Sequence, residues 1–131
     1  MAGIKDFFVS RSLSFRHAFR GWWHVIRTQK NAWLHALITT LVVAMALWLH
    51  VSAQDWAVLV LTIALVWSAE FFNTAIEAVV DLASPVQHPL AKTGKDVGAA
   101  AVLIAALAAI LVGLLILGPL LWAKIVPYII D

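Results

Sequence analysis

Three carboxylates and one amide stand on a single stretch of otherwise apolar sequence: Glu70, Asn73, Glu77 and Asp81. At about 100° per residue in a helix, offsets of 0, 3, 7 and 11 gather all four within an arc of about 80°. The resulting polar stripe is about 16 Å long. Grouped carboxylates of this kind can hold a hard cation, accept a proton, or do both. The bland alternative is a stripe that joins helices through hydrogen bonds, for which Asn73 alone would serve. A charge at the centre of a bilayer costs at least about 2.5–3.5 kcal/mol, so repeated acids exceed what packing requires. Glu70 lies about 21 Å along the helix from Trp56 and is the deepest carboxylate, which suits it to take a proton in a transfer step. Asp81 falls at or beyond the membrane boundary.

Beyond the stripe, Lys95 and Asp96 open the next apolar segment. Thr93-Gly94-Lys95-Asp96 has only a superficial likeness to the end of a P-loop. Pro89 stands where the upstream glycine belongs, and Asp96 replaces the Ser or Thr. Neither GxGxxG nor HExxH occurs, and the chain has no cysteine, which excludes disulfides and thiolate metal sites. A nucleotide bound here needs a site of another kind.

The elements that must carry these residues follow from composition. Of 131 residues, 63% are hydrophobic and 12% charged, against about 45–50% and 25% in an ordinary soluble domain. A chain of this size cannot bury so much apolar surface alone, so lipid is its solvent. Hydropathy predicts spanning helices over 32–49, 56–81 and 95–122, joined by short polar connections, with breakers at Ser84-Pro85 and His88-Pro89. Residues 6–30 differ. Phe15, Phe19, Trp22 and Ile26 share one helical face, while Arg16, Arg20, His24 and Arg27 lean to the other, the pattern of a helix lying in the interface. Residues 1–30 lack the apolar core of a cleavable signal.

Lys5, Arg11, Arg16, Arg20, Arg27 and Lys30 precede the first span, and Lys92 and Lys95 lie between the second and third. Only Lys124 remains on the other side. The excess of Lys and Arg places the N-terminus and the open end of the acidic stripe in the cytoplasm. The basic helix is expected to meet anionic headgroups, not nucleic acid. Gly94, Gly98, Ala101, Ala105, Ala109 and Gly113 form a small-residue stripe on the last span that admits close helix approach. Three helices cannot easily enclose one acidic face, so a homo-oligomer sharing the site is expected. The fold class is an all-α integral membrane protein, one domain over 1–131, with a surface helix and three spans.

Ala69-Glu70-Phe71-Phe72-Asn73-Thr74-Ala75-Ile76-Glu77-Ala78-Val79-Val80-Asp81, followed by Lys95-Asp96 and an Ala/Val run, resembles the prokaryotic diacylglycerol kinase family, which includes undecaprenol kinases. The likeness covers nearly the whole chain, starting at a Phe15…Ala18…Gly21 pattern. It implies a homotrimer with composite active sites in the bacterial inner membrane, using ATP and Mg²⁺ to phosphorylate a lipid hydroxyl for phospholipid or cell-envelope lipid recycling. It further implies Glu70 as catalytic base, Glu77 as the acid that binds metal and nucleotide, and Asn73 and Asp81 as supporting polar groups. His17, His88, Lys95 and Asp96 match nucleotide contacts, and Trp48 and Ala99 fall where the lipid lies. The family's second metal-binding glutamate is replaced by Gln29, whose amide oxygen is a ligand without charge. Arg11 follows Ser10 where the family often has arginine. His88-Pro89-Leu90-Ala91-Lys92, Ala99 and the late Gly113…Gly118-Pro119 look more like the undecaprenol kinase branch. Two other readings compete. An impaired kinase or scaffold would transfer no phosphate. A small ion-coupled transporter would need ionisable groups across the span, and residues 56–69 supply none.

Overall fold

The computed structural model describes residues 3–130; Met1, Ala2 and Asp131, the ends of the domain read over 1–131, lie outside them, as do the side chains of Lys5 and Ile130. Among the described residues five helices follow one another: α1 (Ile4–Thr28), α2 (Lys30–Leu49), α3 (Ala53–Ala83), α4 (Pro89–Ile125) and the single turn α5 (Pro127–Ile130). No strand occurs among the described residues. The three middle helices are each long and apolar enough to cross a membrane, and the protein is an all-helical integral membrane protein with an N-terminal helix ahead of its spans.

The spans run further than hydropathy alone implies. With 20, 31 and 37 residues, α2, α3 and α4 are about 30, 46 and 56 Å long. The first matches a hydrocarbon core of about 30 Å; the other two overrun it. Pro89 explains much of the difference for α4. Its type and neighbours predict a breaker, but it sits in the first turn, behind His88, whose ring accepts the Leu90 N–H at 3.2 Å as the N-cap. Proline's missing N–H costs nothing there and its fixed φ suits the helix. The one-residue joint between α1 and α2 falls two positions earlier than expected, at 29 and not 31. Gln29 alone (φ −97°, ψ 117°) closes one helix and opens the next, so the surface helix ends at Thr28 and its successor begins at Lys30.

At the opposite end of α2 the chain turns through His50, which adopts a left-handed conformation (φ 56°) and donates its N–H to Ala46 and Leu47 carbonyls. Ser52 caps α3, accepting the Asp55 N–H at 3.1 Å. Below this turn lies the apolar core, with Ala46, Val51, Leu59 and Leu117 fully buried. At the other end, α1 docks through aromatic contact: Trp22 of α1 stacks on Trp67 of α3 with centroids 6.1 Å apart, and Trp67 touches Phe71 and His35. Val25 is the one buried side chain among those described on α1; Phe15 and Phe19 remain bare, as an interfacial helix requires.

The most extensive packing joins α3 to α4. Gly98, Val102 and Ala105 are buried along α4 and Leu59, Val66, Glu70, Asn73 and Thr74 along α3. Ala101 of the small-residue stripe faces outward, so the seam runs through Gly94, Gly98, Val102 and Ala105 instead. Large aliphatic side chains such as Leu61, Ile104 and Leu115 cover the outside, the surface that lipid would wet.

Candidate functional site

The polar stripe of α3 turns inward, toward α2 and α4. Glu70 is only 1% exposed, and Asn73 and Thr74 are 6% exposed each. Glu77 is half-buried and Asp81 exposed, so the stripe rises from the interior to the surface as its helical arc requires. The expectation that one chain cannot enclose an acidic face is corrected for its deep half. Within this one chain Glu70 and Asn73 are already covered, and glycine at 98 lets α4 come up against Asn73.

Around Glu77 three elements converge. Asn73 Nδ2 donates to Glu77 Oε1 at 3.1 Å, one turn along α3. Gln29 Nε2, delivered by the α1–α2 elbow, approaches Glu77 Oε2 at 3.5 Å. Asn73 Oδ1 is buried with no hydrogen-bond partner, and it faces Gly98, where any Cβ would collide with it. These groups open on a cavity of about 270 Å³ lined also by Asn31, His35 and Ala99. Its far wall is apolar: Leu34, Val102, Leu103 and Ala106.

Deeper on the same face stands Glu70. Its Oε2 lies 3.7 Å from His35 Nε2 of α2, and both atoms are buried without hydrogen-bond partners. Thr74 donates its hydroxyl to the Glu70 carbonyl at 2.9 Å, fixing the backbone and not the carboxylate.

A second, more open cavity of about 770 Å³ lies beyond the helix ends, where 84–88 cross from α3 to α4. Asp81, His88, Lys95 and Asp96 line it. Lys95 Nζ donates to Asp81 Oδ1 at 2.7 Å, linking α3 to α4, and Lys92 pairs with Asp96 along α4. Ser84 Oγ donates to the Val86 carbonyl at 2.8 Å and shapes the loop.

The residues read from sequence thus fall into two adjoining groups. Gln29, Asn73, Glu77 and Ala99 line the smaller cavity, with Glu70 enclosed beside its lining residue His35; Asp81, His88, Lys95 and Asp96 line the larger. Two others stand apart. His17 is exposed on α1. Trp48 sits at the far end of α2, where Lys124 Nζ lies 4.4 Å above its ring and donates to its carbonyl at 2.9 Å. The residue that sequence reading passed over is His35. It interrupts the apolar run of 32–49, and an ionisable group within a span is itself a signal.

Among the described residues no three His, Cys, Asp or Glu side chains cluster to hold a metal alone. The oxygens present still fit a hard cation of the kind that arrives with phosphate: the Glu77 carboxylate, with Gln29 Oε1 and Asn73 Oδ1 once their amides turn over. Such cations are held by one or two carboxylates together with substrate phosphates and water.

Fold and site together define an integral membrane protein that keeps carboxylates on the inward face of one span, next to a loop bordered by a paired lysine. The family described as prokaryotic diacylglycerol kinase matches residues 16–117, and the chain belongs to that family. It is 41% identical over 106 residues to the undecaprenol kinase of Bacillus subtilis, covering 81% of this chain and 86% of that protein. It is 46% identical over 111 residues to the diacylglycerol kinase of Synechocystis, covering 83% of this chain and 63% of the relative. To the diacylglycerol kinase of Escherichia coli K12 the identity is 44% over 71 residues, with 54% of this chain and 58% of that protein aligned. The chain therefore spans somewhat less than two thirds of the last two relatives.

Proposed function

We propose that this protein transfers the γ-phosphate of ATP to the hydroxyl group of a membrane lipid, at the cytoplasmic edge of a bacterial inner membrane. The observation that carries the reading is the adjacency of two different carboxylates. Glu70 is buried and has an unpaired oxygen, whereas Glu77, two turns along, is half-open and bonded to amides. One suits a base and the other a cation ligand. Family membership and the names of the relatives support the same reading.

In this mechanism the lipid enters sideways, with its hydroxyl at Glu70 beside Ala99 and its tail running along the spans toward Trp48. An alcohol is far too weak an acid to ionise in advance. Its proton therefore passes to Glu70 as the new O–P bond forms and ADP departs. Lys95 leaves Asp81 to meet the phosphates in the larger cavity, where Asp96 and His88 contact the nucleotide, and His17 closes over it from the surface helix. Bound Mg²⁺, held by Glu77 and Gln29, would offset charge on the transferring phosphoryl group. The half-open Glu77 and exposed Asp81 leave the outer part of the site incomplete, which supports a homotrimer with sites shared between subunits.

The acceptor is proposed to be undecaprenol, with diacylglycerol as the competing substrate; the wall of Leu34, Val102, Leu103 and Ala106 offers little to ester groups. The test is a mixed-micelle assay presenting both lipids with radiolabelled ATP. Label in undecaprenyl phosphate above that in phosphatidate is expected; label in phosphatidate alone reverses the assignment, and no labelled lipid removes the reading. A second reading, an impaired family member, draws on Gln29, whose amide nitrogen sits against Glu77 where a cation would bind. Restoration of transfer only by Gln29→Glu would support it.

A further inference from the structure

His35 has no part in the scheme above, yet its ring approaches the carboxylate of the base. Its Nε2 and Glu70 Oε2 face each other across 3.7 Å, both enclosed and both without partners. Nothing else is available to that oxygen among the described residues. The Asn73 and Gln29 amides are directed at Glu77, and the Thr74 hydroxyl is spent on a backbone carbonyl. The cluster is thus divided: amides serve one carboxylate and the imidazole serves the other.

The ring is also held in orientation. Trp67 packs against His35 at 6.3 Å between centroids with planes 64° apart. Trp67 is itself fixed, by its Nε1–H to Thr39 Oγ1 at 3.3 Å and by stacking on Trp22. An imidazole framed in this way is aimed. The 3.7 Å separation exceeds a hydrogen bond, but bonds within a catalytic group are often long without substrate and tighten when the complex forms.

We propose that His35 is a positioning residue for Glu70: its Nε2–H donates to Oε2 and thereby turns the other carboxylate oxygen, Oε1, toward the lipid hydroxyl. This assignment rests on the phosphotransfer reading. A neutral imidazole suffices, since the role is to donate a hydrogen bond and no proton is exchanged. His35 also lines the cavity shared by Glu77 and Ala99, so the residue that would orient Glu70 borders the space proposed for the acceptor.

Two variants separate this role from mere packing. His35→Phe keeps a ring against Trp67 and removes the donor; His35→Gln keeps an N–H donor without the ring. Steady-state kinetics in mixed micelles should give a kcat lowered about a hundredfold for His35→Phe, the scale of a misaligned catalytic group. The KM for ATP should stay within about twofold, and His35→Gln should recover at least about a tenth of the wild-type kcat. A His35→Phe enzyme within about threefold of wild type overturns the proposal, as does equal loss in both variants. If His35→Phe does not fold, His35→Gln decides alone: retained turnover supports the role, and a hundredfold loss overturns it. If wild type itself phosphorylates no lipid, the phosphotransfer reading fails separately. The contact is then judged by isotope-edited infrared spectroscopy on ¹³C-glutamate protein, with Glu70→Gln identifying the band. A Glu70 carboxyl band displaced by His35→Phe supports the hydrogen bond, and an unmoved band overturns it.

Discussion

Gly98 of α4 stands directly against the amide oxygen of Asn73 on α3, so close that no side chain fits between them. The contact ties a backbone position on one span to the residue that bonds Glu77 on another. A methyl group at 98 would force Asn73 off its rotamer and out of reach of Glu77. Overpacking of this kind costs about 1–3 kcal/mol, and the better helix propensity of alanine returns about 1 kcal/mol at most. Gly98→Ala should therefore lower thermal stability and reduce phosphate transfer more than tenfold. Gly94→Ala, whose new methyl group meets Val80 Cγ2 at an ordinary 3.7 Å, should keep or raise the melting temperature, by up to about 1 kcal/mol of stability.

Glu70→Gln preserves shape and removes the proton acceptor. Lipid phosphorylation should fall by about 10²–10⁴-fold, the usual contribution of a general base. ATP affinity, measured by equilibrium binding in micelles, should change little because the nucleotide groups lie nearer the helix ends. Turnover retained within tenfold would remove Glu70 as the base.

Gln29→Glu brings a second carboxylate to Glu77 in place of an amide donor. Without metal the two charges repel; with Mg²⁺ they share it. The variant should thus show lower stability in chelator than wild type, and a larger rise in melting temperature on Mg²⁺ addition. A metal titration with the same midpoint as wild type would remove Gln29 and Glu77 as a shared metal site.

Lys95 is bonded to Asp81 where both are open to water. Exposed pairs contribute about 0–1 kcal/mol to stability, so Lys95→Met should melt nearly as wild type does. Its consequence should instead fall on the nucleotide, with KM for ATP raised tenfold or more. A large loss of stability with unchanged KM would assign the pair a structural role.

Ser52→Ala removes the cap of α3 at the end far from the carboxylates. A loss of about 1 kcal/mol is expected, with kinetic constants unaltered. Altered kcat would mean that the two ends of α3 are coupled.

Much of this molecule was legible along the chain. Hydropathy marked three spans, and helical periodicity put Glu70, Asn73, Glu77 and Asp81 on one face, because a face is a property of offsets within a single helix. The graded burial from Glu70 to Asp81 follows that arc. Local rules were less decisive at element ends. Pro89 has the same composition whether it interrupts a helix or begins one, and only the capping His88 distinguishes the two.

What the tertiary structure alone decided is which helix faces meet. His35 and Glu70 are distant in sequence and lie on different spans, so no spacing rule relates them; the same holds for Gln29 with Glu77 and for Gly98 with Asn73. Each pair depends on how far one span slides and rotates against another. That register is set by where small side chains allow backbones to approach and by where Trp67 lodges against α1 and α2. Local sequence placed the acids on one side of a helix, and close packing between helices chose their partners.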